Sequence, residues 1–237
     1  MRQYEIDNEV VFGMSYKKMT LGDLKKFEIN PTVEMNVLRH FGKVDSEYLK
    51  TLVGEEYSYF NHKNKRVIKS VISLKDIKAA LNTKGTKFFD NVKGIENPRK
   101  LLALIKRQLE KKIHDKNIGW VYRNGKKVAR FSFEYKNFVG EEDLVLLSSL
   151  SEAEGARVKK VTRGRSAERL STVNVIEGME KNKTKIISVK IVEMKEFPFY
   201  SITSYPRGNG MDSGNNYGAK DKDEYSRRYW DDHVFLS

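Results

Sequence analysis

Side chains able to act on a phosphate ester occur at three places in this sequence of 237 residues. His40 lies in a polar turn that contains glycine, just before a predicted helix, where an imidazole would be accessible as an acid or base. Thr203 and Tyr205 lie near the end of a predicted strand, and strand alternation puts both on one face with Ser204 opposite. The third place is the basic segment Arg157–Arg169.

That basic segment carries six cationic side chains against a single acid, Glu168. The cations are Arg157, Lys159, Lys160, Arg163, Arg165 and Arg169. Because a guanidinium binds phosphate in a bidentate manner, we expect Arg163 to act at a phosphate and Arg165, Lys159 and Lys160 to bind phosphates. The alternative is a solvated basic loop.

These residue types suit RNA cleavage without a metal or cofactor. The ribose 2′-OH is the nucleophile, so the protein needs a base, an acid, and donors that stabilise the pentacovalent phosphorane. Cysteine is absent, which excludes disulfides, thiol nucleophiles and cysteine-ligated metals. The four histidines, His40, His62, His114 and His233, lack the spacing of metal ligands. We therefore expect no metal site and no cofactor.

The charge of the chain points to a polyanionic partner. Its formal net charge is +13 and its pI is about 9.6, which favours encounter with nucleic acid or with an acidic protein. A basic but otherwise ordinary soluble protein is the alternative. No run approaches the roughly 20 apolar residues of a membrane span, and we expect no signal peptide.

Aromatic residues are interleaved with basic ones in Tyr57–Arg66 and in Tyr225–Trp230. Such mixtures stack bases while they bind phosphates. They are equally typical of aromatic core anchors with charged neighbours. Both segments are therefore secondary candidates for contact with nucleic acid.

Helical patterns dominate the first half of the chain. Asp45 and Ser73 are predicted N-caps of two short helices. The clearest helix runs from Asn97 to about Asn117, with Asn97 as its cap and Pro98 at its first position. This half predicts a mainly helical part over residues 1–118.

The second half carries strand patterns. The segment Trp120–Tyr135 predicts a β-hairpin around Asn124-Gly125. Four further strands are predicted at Val158–Thr162, Ser171–Ile176, Ile186–Val192 and Phe199–Tyr205. We expect an α+β fold in which N-terminal helices pack on a C-terminal antiparallel sheet over residues 119–237, with a mobile loop at 207–222. A single continuous domain is the alternative to two parts.

Two segments together resemble a known family. Arg39-His40-Phe41-Gly42-Lys43 with Leu49 resembles the "H-V-G-K … L" opening of the RNase A-like toxin domains. Those domains form the C-terminal ends of contact-dependent-inhibition, prophage-associated and other polymorphic toxins of bacteria. Ile202-Thr203-Ser204-Tyr205-Pro206 resembles their closing "T-A-Y-P" strand. The wider group of barnase-, colicin- and RelE-like toxin nucleases shares helices followed by an antiparallel sheet.

The resemblance implies a metal-independent RNA endonuclease that forms a cyclic phosphate, with His40, Thr203 and Tyr205 at the family positions. The family's arginine, in "L-x-x-R", has no counterpart here. Lys50, Arg163 or Arg165 would supply that charge.

The same resemblance extends to further residues and to partners. Arg39 and Lys43 flank the histidine and are expected to bind RNA phosphates. His233 is the expected second acid–base residue. An acidic immunity protein would cover the site in the producing cell. The toxin would act in the cytoplasm of a target bacterium, delivered as part of a larger secreted protein.

Two other classes compete with this interpretation. A non-enzymatic nucleic-acid-binding protein of a phage or plasmid explains the charge equally well. An ADP-ribosyltransferase is disfavoured, because Arg163-Gly164 and Ser171-Thr172 are too close for that family's two strands and no E-x-E motif follows.

Overall fold

The computed structural model describes residues 16–61, 63–83, 85–123, 126–163, 171–206 and 231–236. The chain divides into two compact units. Unit 1 takes its described residues from Met1–Gly85, Asp90–Phe131 and Val189–Ser204, and unit 2 from Thr86–Phe89, Ser132–Ser188 and Tyr205–Ser237. The predicted division after residue 118 stays a prediction. The loop expected at 207–222 lies outside the described residues.

The mixed α+β class is confirmed. The helices are α1 (Pro31–Leu38), α2 (Ser46–Leu52), α3 (Leu74–Leu81), α4 (Pro98–His114) and α5 (Glu152–Gly155), with 3-10 turns at Leu21–Lys26 and Leu147–Ser149. The strands are β1 (Tyr16–Lys18), β2 (Glu56–Asn61), β3 (Arg66–Val71), β4 (Gly119–Arg123), β5 (Lys126–Glu134), β6 (Gly140–Glu142), β7 (Leu144–Leu146), β8 (Lys159–Arg163), β9 (Ser171–Ile176), β10 (Asn182–Thr184), β11 (Ile186–Glu193), β12 (Tyr200–Pro206) and β13 (His233–Leu236).

The three predicted helix caps of unit 1 are confirmed. Asp45 accepts a hydrogen bond from the Tyr48 amide at 2.7 Å, and Asn97 accepts one from the Lys100 amide at 3.1 Å. Ser73 forms a reciprocal capping box with Asp76. Each cap satisfies an amide that has no partner inside its helix, and this fixes where the helix begins.

An ion pair between a buried carboxylate and a half-exposed arginine joins α1 to α4 in unit 1. Glu34 is 1% exposed, and its two oxygens accept hydrogen bonds from Arg99 Nε at 2.7 Å and from Nη2 at 3.2 Å. The guanidinium also lies 5.9 Å from the centroid of the Tyr48 ring. Because a carboxylate costs several kcal/mol to bury without a partner, this pair ties the orientation of α1 to that of α4.

A β-hairpin in the N-terminal half was not predicted. Strands β2 and β3 pair antiparallel from Glu56↔Val71 to Asn61↔Arg66. At the turn, Asn61 Oδ1 accepts hydrogen bonds from the amides of Lys63 and Asn64 at 2.9 and 3.3 Å, and Lys65 has a left-handed φ of 52°. The expectation that this half is mainly helical therefore omitted a two-stranded sheet.

Most of a five-stranded sheet belongs to unit 1, in the order β1-β4-β5-β11-β12. The hairpin predicted around Asn124-Gly125 is confirmed by the β4–β5 pairing, which ends at Arg123↔Lys126. The turn itself lies outside the described residues. Trp120 on β4 and Tyr200 on β12 are both buried, with ring centroids 5.2 Å apart.

Unit 2 contains a four-stranded sheet, β7-β13-β9-β8, and the pair β10-β6. The β13–β9 pair is parallel, whereas the sequence predicted antiparallel strands. Asn174 on β9 donates hydrogen bonds to the carbonyls of Asp231 and His233 at 3.1 and 3.2 Å, which anchors the start of β13. Such a parallel pair joins segments distant in sequence, so local patterns do not reveal it.

Candidate nucleic-acid interface

A pocket of about 200 Å³ opens in unit 1 between α1, β2 and α3. This tyrosine pocket is lined by Thr32, Met35, Asn36, Arg39, Tyr57, Ser58, Tyr59, Asp76, Ala79, Ala80 and Thr83. The set combines two aromatic rings, one guanidinium, one carboxylate and several short polar groups. Such a mixture of stacking surface and directional polar groups is typical of sites that bind small polar aromatic molecules.

The two tyrosines of the pocket are placed by strand alternation. Tyr57 and Tyr59 are two residues apart on β2 and so share a face. Their ring centroids are 5.9 Å apart, with 29° between the ring planes. Tyr59 keeps 42% of its surface exposed. The pocket therefore offers an open aromatic wall.

The hydroxyl of Tyr57 lies in a mixed electrostatic environment. Burial raises the pKa of Tyr57, and the negative charge of Asp76 raises it further, whereas Ser70 and Arg39 act in the opposite direction. Ser70 is the residue paired with Tyr57 across the hairpin. The guanidinium of Arg39 and the carboxylate of Asp76 thus both act on one phenol.

Asp76 reaches the pocket from the first turn of α3. The Ser73 amide and hydroxyl both donate to Asp76 Oδ2, at 2.9 and 2.5 Å. These two hydrogen bonds lower the pKa of Asp76, so the carboxylate is ionised at neutral pH.

Exposed cations follow β2 in the sequence, in the turn to β3, on β3 itself and on α3. Over residues 61–78 the sequence holds six Lys or Arg residues against one acid, Asp76. They are Lys63, Lys65, Arg66, Lys69, Lys75 and Lys78, and all are exposed. Lys69 has an ion pair with Glu56 at 3.6 Å, with both side chains about 70% exposed. Residues 61–78 would attract a polyanion, and the exposed acids Glu55 and Glu56 precede this stretch.

A second charged group in unit 1 has the opposite character. In this Lys127 cluster, Lys127 Nζ lies 3.2 Å from Glu193 and 3.7 Å from Asp23, and Glu193 also binds Lys26 at 2.7 Å. The Lys127 ammonium lies 4.5 Å from the centroid of the Trp120 ring. Two cations thus face two carboxylates, and the local charge is balanced.

A wider pocket of about 320 Å³ lies beside the Lys127 cluster. Tyr122, Met194 and Phe197 form its apolar walls, and Lys195 lies at its edge. Because its other lysines are held by Glu193, this pocket has less attraction for an anion than the tyrosine pocket.

The predicted histidine directly follows a residue of the tyrosine pocket. Arg39 is the C-cap of α1, and His40 is the next residue, with a half-buried side chain and its amide bound to the Val37 carbonyl at 3.0 Å. Lys43 is exposed in the same turn. Lys50 is exposed on α2, where it pairs with Glu47 at 2.7 Å. The structure thus brings Arg39, His40 and Lys43 into one turn.

The predicted hydroxyl pair lies on β12. Burial alternates along this strand, with Thr203 and Tyr205 half-buried and Ser204 fully buried. The expected division of faces is therefore present. Thr203 belongs to unit 1 and Tyr205 to unit 2.

The remaining predicted residues belong to unit 2. Lys159 and Lys160 are exposed on β8, with long ion pairs of 3.9 Å to Glu177 and Asp231. Arg163 is the last residue of β8, and Arg165 lies outside the described residues. His233 is 7% exposed at the start of β13, a buried position that lends no support to phosphate contact from solvent.

Sequence reasoning named Arg39 and the Tyr57–Arg66 segment separately and missed Asp76 and Asn36. Those last two lie on different helices, so only tertiary packing unites them. The usable signal was the alternation of Tyr57 and Tyr59 before an Asn- and Lys-rich stretch, which is typical of a strand and a turn.

Among the described residues, no helix is long and apolar enough to cross a membrane. The same part of the chain contains no group of three or more His, Asp or Glu side chains arranged to hold a metal ion. No family model, curated protein or solved structure matches the chain.

Proposed function

We propose that this protein is an RNA-binding, metal-independent endoribonuclease of the RNase A-like toxin type. One observation carries the proposal. Arg39 lines the tyrosine pocket, and the next residue is His40, the histidine of the motif that resembles the toxin family. A site for recognising RNA and an acid–base residue would then be neighbours in the chain.

In this proposal His40 removes the proton of the ribose 2′-OH. Thr203, Tyr205 and Arg163 donate hydrogen bonds to the phosphorane. The bond from phosphorus to the 5′-oxygen of the next nucleotide then breaks, that oxygen leaves with a proton taken from water, and a 2′,3′-cyclic phosphate remains. Packing of the N-terminal helices on a C-terminal sheet, as the resemblance implies, forms part of the same proposal.

Binding of the RNA backbone is assigned to exposed cations in both units. Lys43 lies in the loop before α2 and Lys50 on α2, both in unit 1, and Lys159 and Lys160 lie on β8 of unit 2. Arg165, from the same basic segment as Lys159, completes the set. Each phosphate contact releases counterions, so binding should weaken steeply as salt rises.

Cleavage of RNA by purified protein in excess EDTA tests the activity. We expect products that end in a 2′,3′-cyclic phosphate, and at least a hundredfold loss of rate in His40→Ala. His114→Ala is the matched control, because His114 is an exposed histidine at the end of α4. Full activity of His40→Ala, with folding verified by circular dichroism, would remove His40 from the mechanism.

A non-enzymatic nucleic-acid-binding function is the second candidate. The tyrosine pocket and the exposed cations over residues 61–78 would bind RNA without any role for His40. Salt-sensitive binding with no cleavage of tRNA, rRNA or mRNA by the wild-type protein would favour this function over the ribonuclease.

An acidic immunity protein is the proposed partner, since a surface of net charge +13 is complementary to a negative one. The place of action is the cytoplasm of a target bacterium, with delivery inside a larger secreted toxin. Co-expression with acidic proteins encoded beside this chain tests the partner. Failure of all of them to bind the chain would contradict it.

A further inference from the structure

The tyrosine pocket has the dimensions of a site for one base. Its volume of about 200 Å³ lies below the range of roughly 300–1,000 Å³ that holds drug-sized ligands. Its open side is the exposed ring of Tyr59. A planar ring could slide onto that wall, while the rest of a nucleotide stays outside.

The aromatic wall supplies affinity but no choice among bases. Tyr57 and Tyr59 lie on one face of β2 with their rings nearly parallel, and every base has a π-face that can stack on such a surface. Selectivity has to come from the polar groups of the pocket.

The carboxylate of Asp76 supplies that selectivity. A carboxylate only accepts hydrogen bonds, and the two donors of Ser73 both end on Oδ2. Guanine presents two adjacent donors, N1–H and N2–H, on its Watson–Crick edge, whereas adenine, cytosine and uracil each combine a donor with acceptors there. Acceptors turned toward an ionised carboxylate are disfavoured.

The surroundings of the pocket fit a single strand. Arg39 borders the pocket, Lys75 and Lys78 are exposed on α3, and Arg66 pairs with Asn61 on the hairpin face that carries Tyr57 and Tyr59, so phosphates next to a bound base would meet positive charge. A paired guanine has its Watson–Crick edge occupied, so duplex RNA could not use Asp76.

From this geometry we propose that the tyrosine pocket binds an unpaired guanine of single-stranded RNA. The base stacks on the exposed ring of Tyr59, which is itself stacked with Tyr57, Asp76 accepts from N1–H and N2–H through Oδ1, and Arg39 binds the neighbouring phosphate. This inference rests on the proposed binding of RNA and adds the base that is recognised.

The test uses the full chain and fluorescently labelled hexanucleotides of 2′-O-methyl RNA, which cannot be cleaved because the 2′-OH is blocked. Fluorescence anisotropy compares UUGUUU with UUAUUU. We expect the guanine oligonucleotide to bind about tenfold more tightly, as one good pair of hydrogen bonds allows.

Two variants separate stacking from base choice. Tyr59→Ala should weaken the binding of both oligonucleotides about tenfold, because it removes the open stacking surface. Asp76→Asn should abolish the preference for guanine. Tyr122→Ala is the control for the first variant, since Tyr122 is 43% exposed against 42% for Tyr59 but lies outside the pocket.

Asp76→Asn also weakens the capping box with Ser73, so a control must separate this effect from the loss of the pocket carboxylate. Glu154→Gln weakens an equivalent capping box, with Ser151, and Glu154 is not among the residues that line the pocket. It should keep the guanine preference. Thermal unfolding verifies that each variant is folded.

Three outcomes would overturn the inference. Equal binding of UUGUUU and UUAUUU by the wild type would refute the preference for guanine while leaving RNA binding intact. An unchanged preference in folded Asp76→Asn would refute the role of the carboxylate. Absence of binding to any oligonucleotide would refute both this inference and the proposed function.

Discussion

The tyrosine pocket and the Lys127 cluster contain the same residue types but differ in how their charges are balanced. Both place basic, acidic and aromatic side chains together in unit 1. In the Lys127 cluster, Lys127 is 19% exposed and lies between Asp23 and Glu193 above the Trp120 ring. Over residues 61–78, which include the start of the pocket helix α3, six exposed cations accompany a single carboxylate, Asp76.

The difference shows how a fold separates charges for stability from charges for binding. Charges that are partly buried and locally balanced hold elements together and attract little from solvent. Exposed charges of one sign contribute little to stability but attract a polyanion over a distance set by the salt concentration. The predictions below follow from that separation.

The largest expected effect concerns the ion pair that holds α1 at the tyrosine pocket. Arg99→Met leaves the carboxylate of Glu34 buried without a cation and should lower the free energy of unfolding by about 2–3 kcal/mol. Urea unfolding measures the loss. Arg107→Met, an exposed change on the same helix, should lie within about 0.5 kcal/mol of the wild type. Equal stability of the two variants would show that the pair is not structural.

Removal of the central cation of the Lys127 cluster should cost less. Lys127→Met leaves Asp23 and Glu193 partly buried without their shared ammonium, and we expect a loss of about 1–2 kcal/mol. RNA binding should not change, because these charges are already balanced. A large loss of RNA affinity with unchanged stability would reverse the comparison.

The same variant should alter the pH dependence of stability. Hydrogen bonding to Lys26 lowers the pKa of Glu193 below its ordinary 4.5. Burial raises the pKa of Asp23, but hydrogen bonds from Thr20 outweigh it and leave the value below 3.8. The stabilisation is therefore present above pH 4.5 and is lost as the pH falls through the lowered values. Lys127→Met should lose less stability than the wild type between pH 5 and pH 3, as measured by urea unfolding at each pH.

Charge removal at the hairpin should change binding rather than stability. Replacement of Lys63, Lys65 and Arg66 by Gln should reduce the slope of log affinity against log salt by about 2 for single-stranded RNA. The same replacement of Lys17, Lys18 and Lys25, which are also exposed in unit 1, should leave that slope unchanged. Equal slopes in both triple variants would show that binding is not localised to the hairpin.

The smallest effect is expected at an exposed ion pair. Lys50 and Glu47 are 2.7 Å apart, with 71% and 79% of their side chains exposed. Glu47→Ala should change the free energy of unfolding by less than about 0.5 kcal/mol, as thermal unfolding can verify. A loss near 2 kcal/mol would mean that exposure is a poor guide to which charges stabilise this fold.

Structure that depends on residues close together in the sequence could be predicted. Contacts between elements that are distant in the sequence could not. The caps at Asp45, Ser73 and Asn97 follow from side chains that bond amides three residues away. The β4–β5 hairpin follows from the Asn124-Gly125 pair in the sequence and from the strand pattern on either side of it. The tyrosine pocket was not predicted, because Arg39, Tyr57 and Asp76 come from three elements. No sequence pattern within one of these elements indicates that the other two lie next to it. The prediction of strand direction was wrong for β13 and β9 for the same reason.

Thr32, at the rim of the tyrosine pocket, has a consequence for aggregation. A two-stranded sheet leaves a row of backbone donors and acceptors open on each outer edge, where a strand of another molecule can add. The Ser58 amide on the outer edge of β2 donates instead to Thr32 Oγ1 at 2.8 Å. The threonine thereby occupies a position that an intruding strand would need, so the same side chain that borders the pocket also protects the hairpin against self-association.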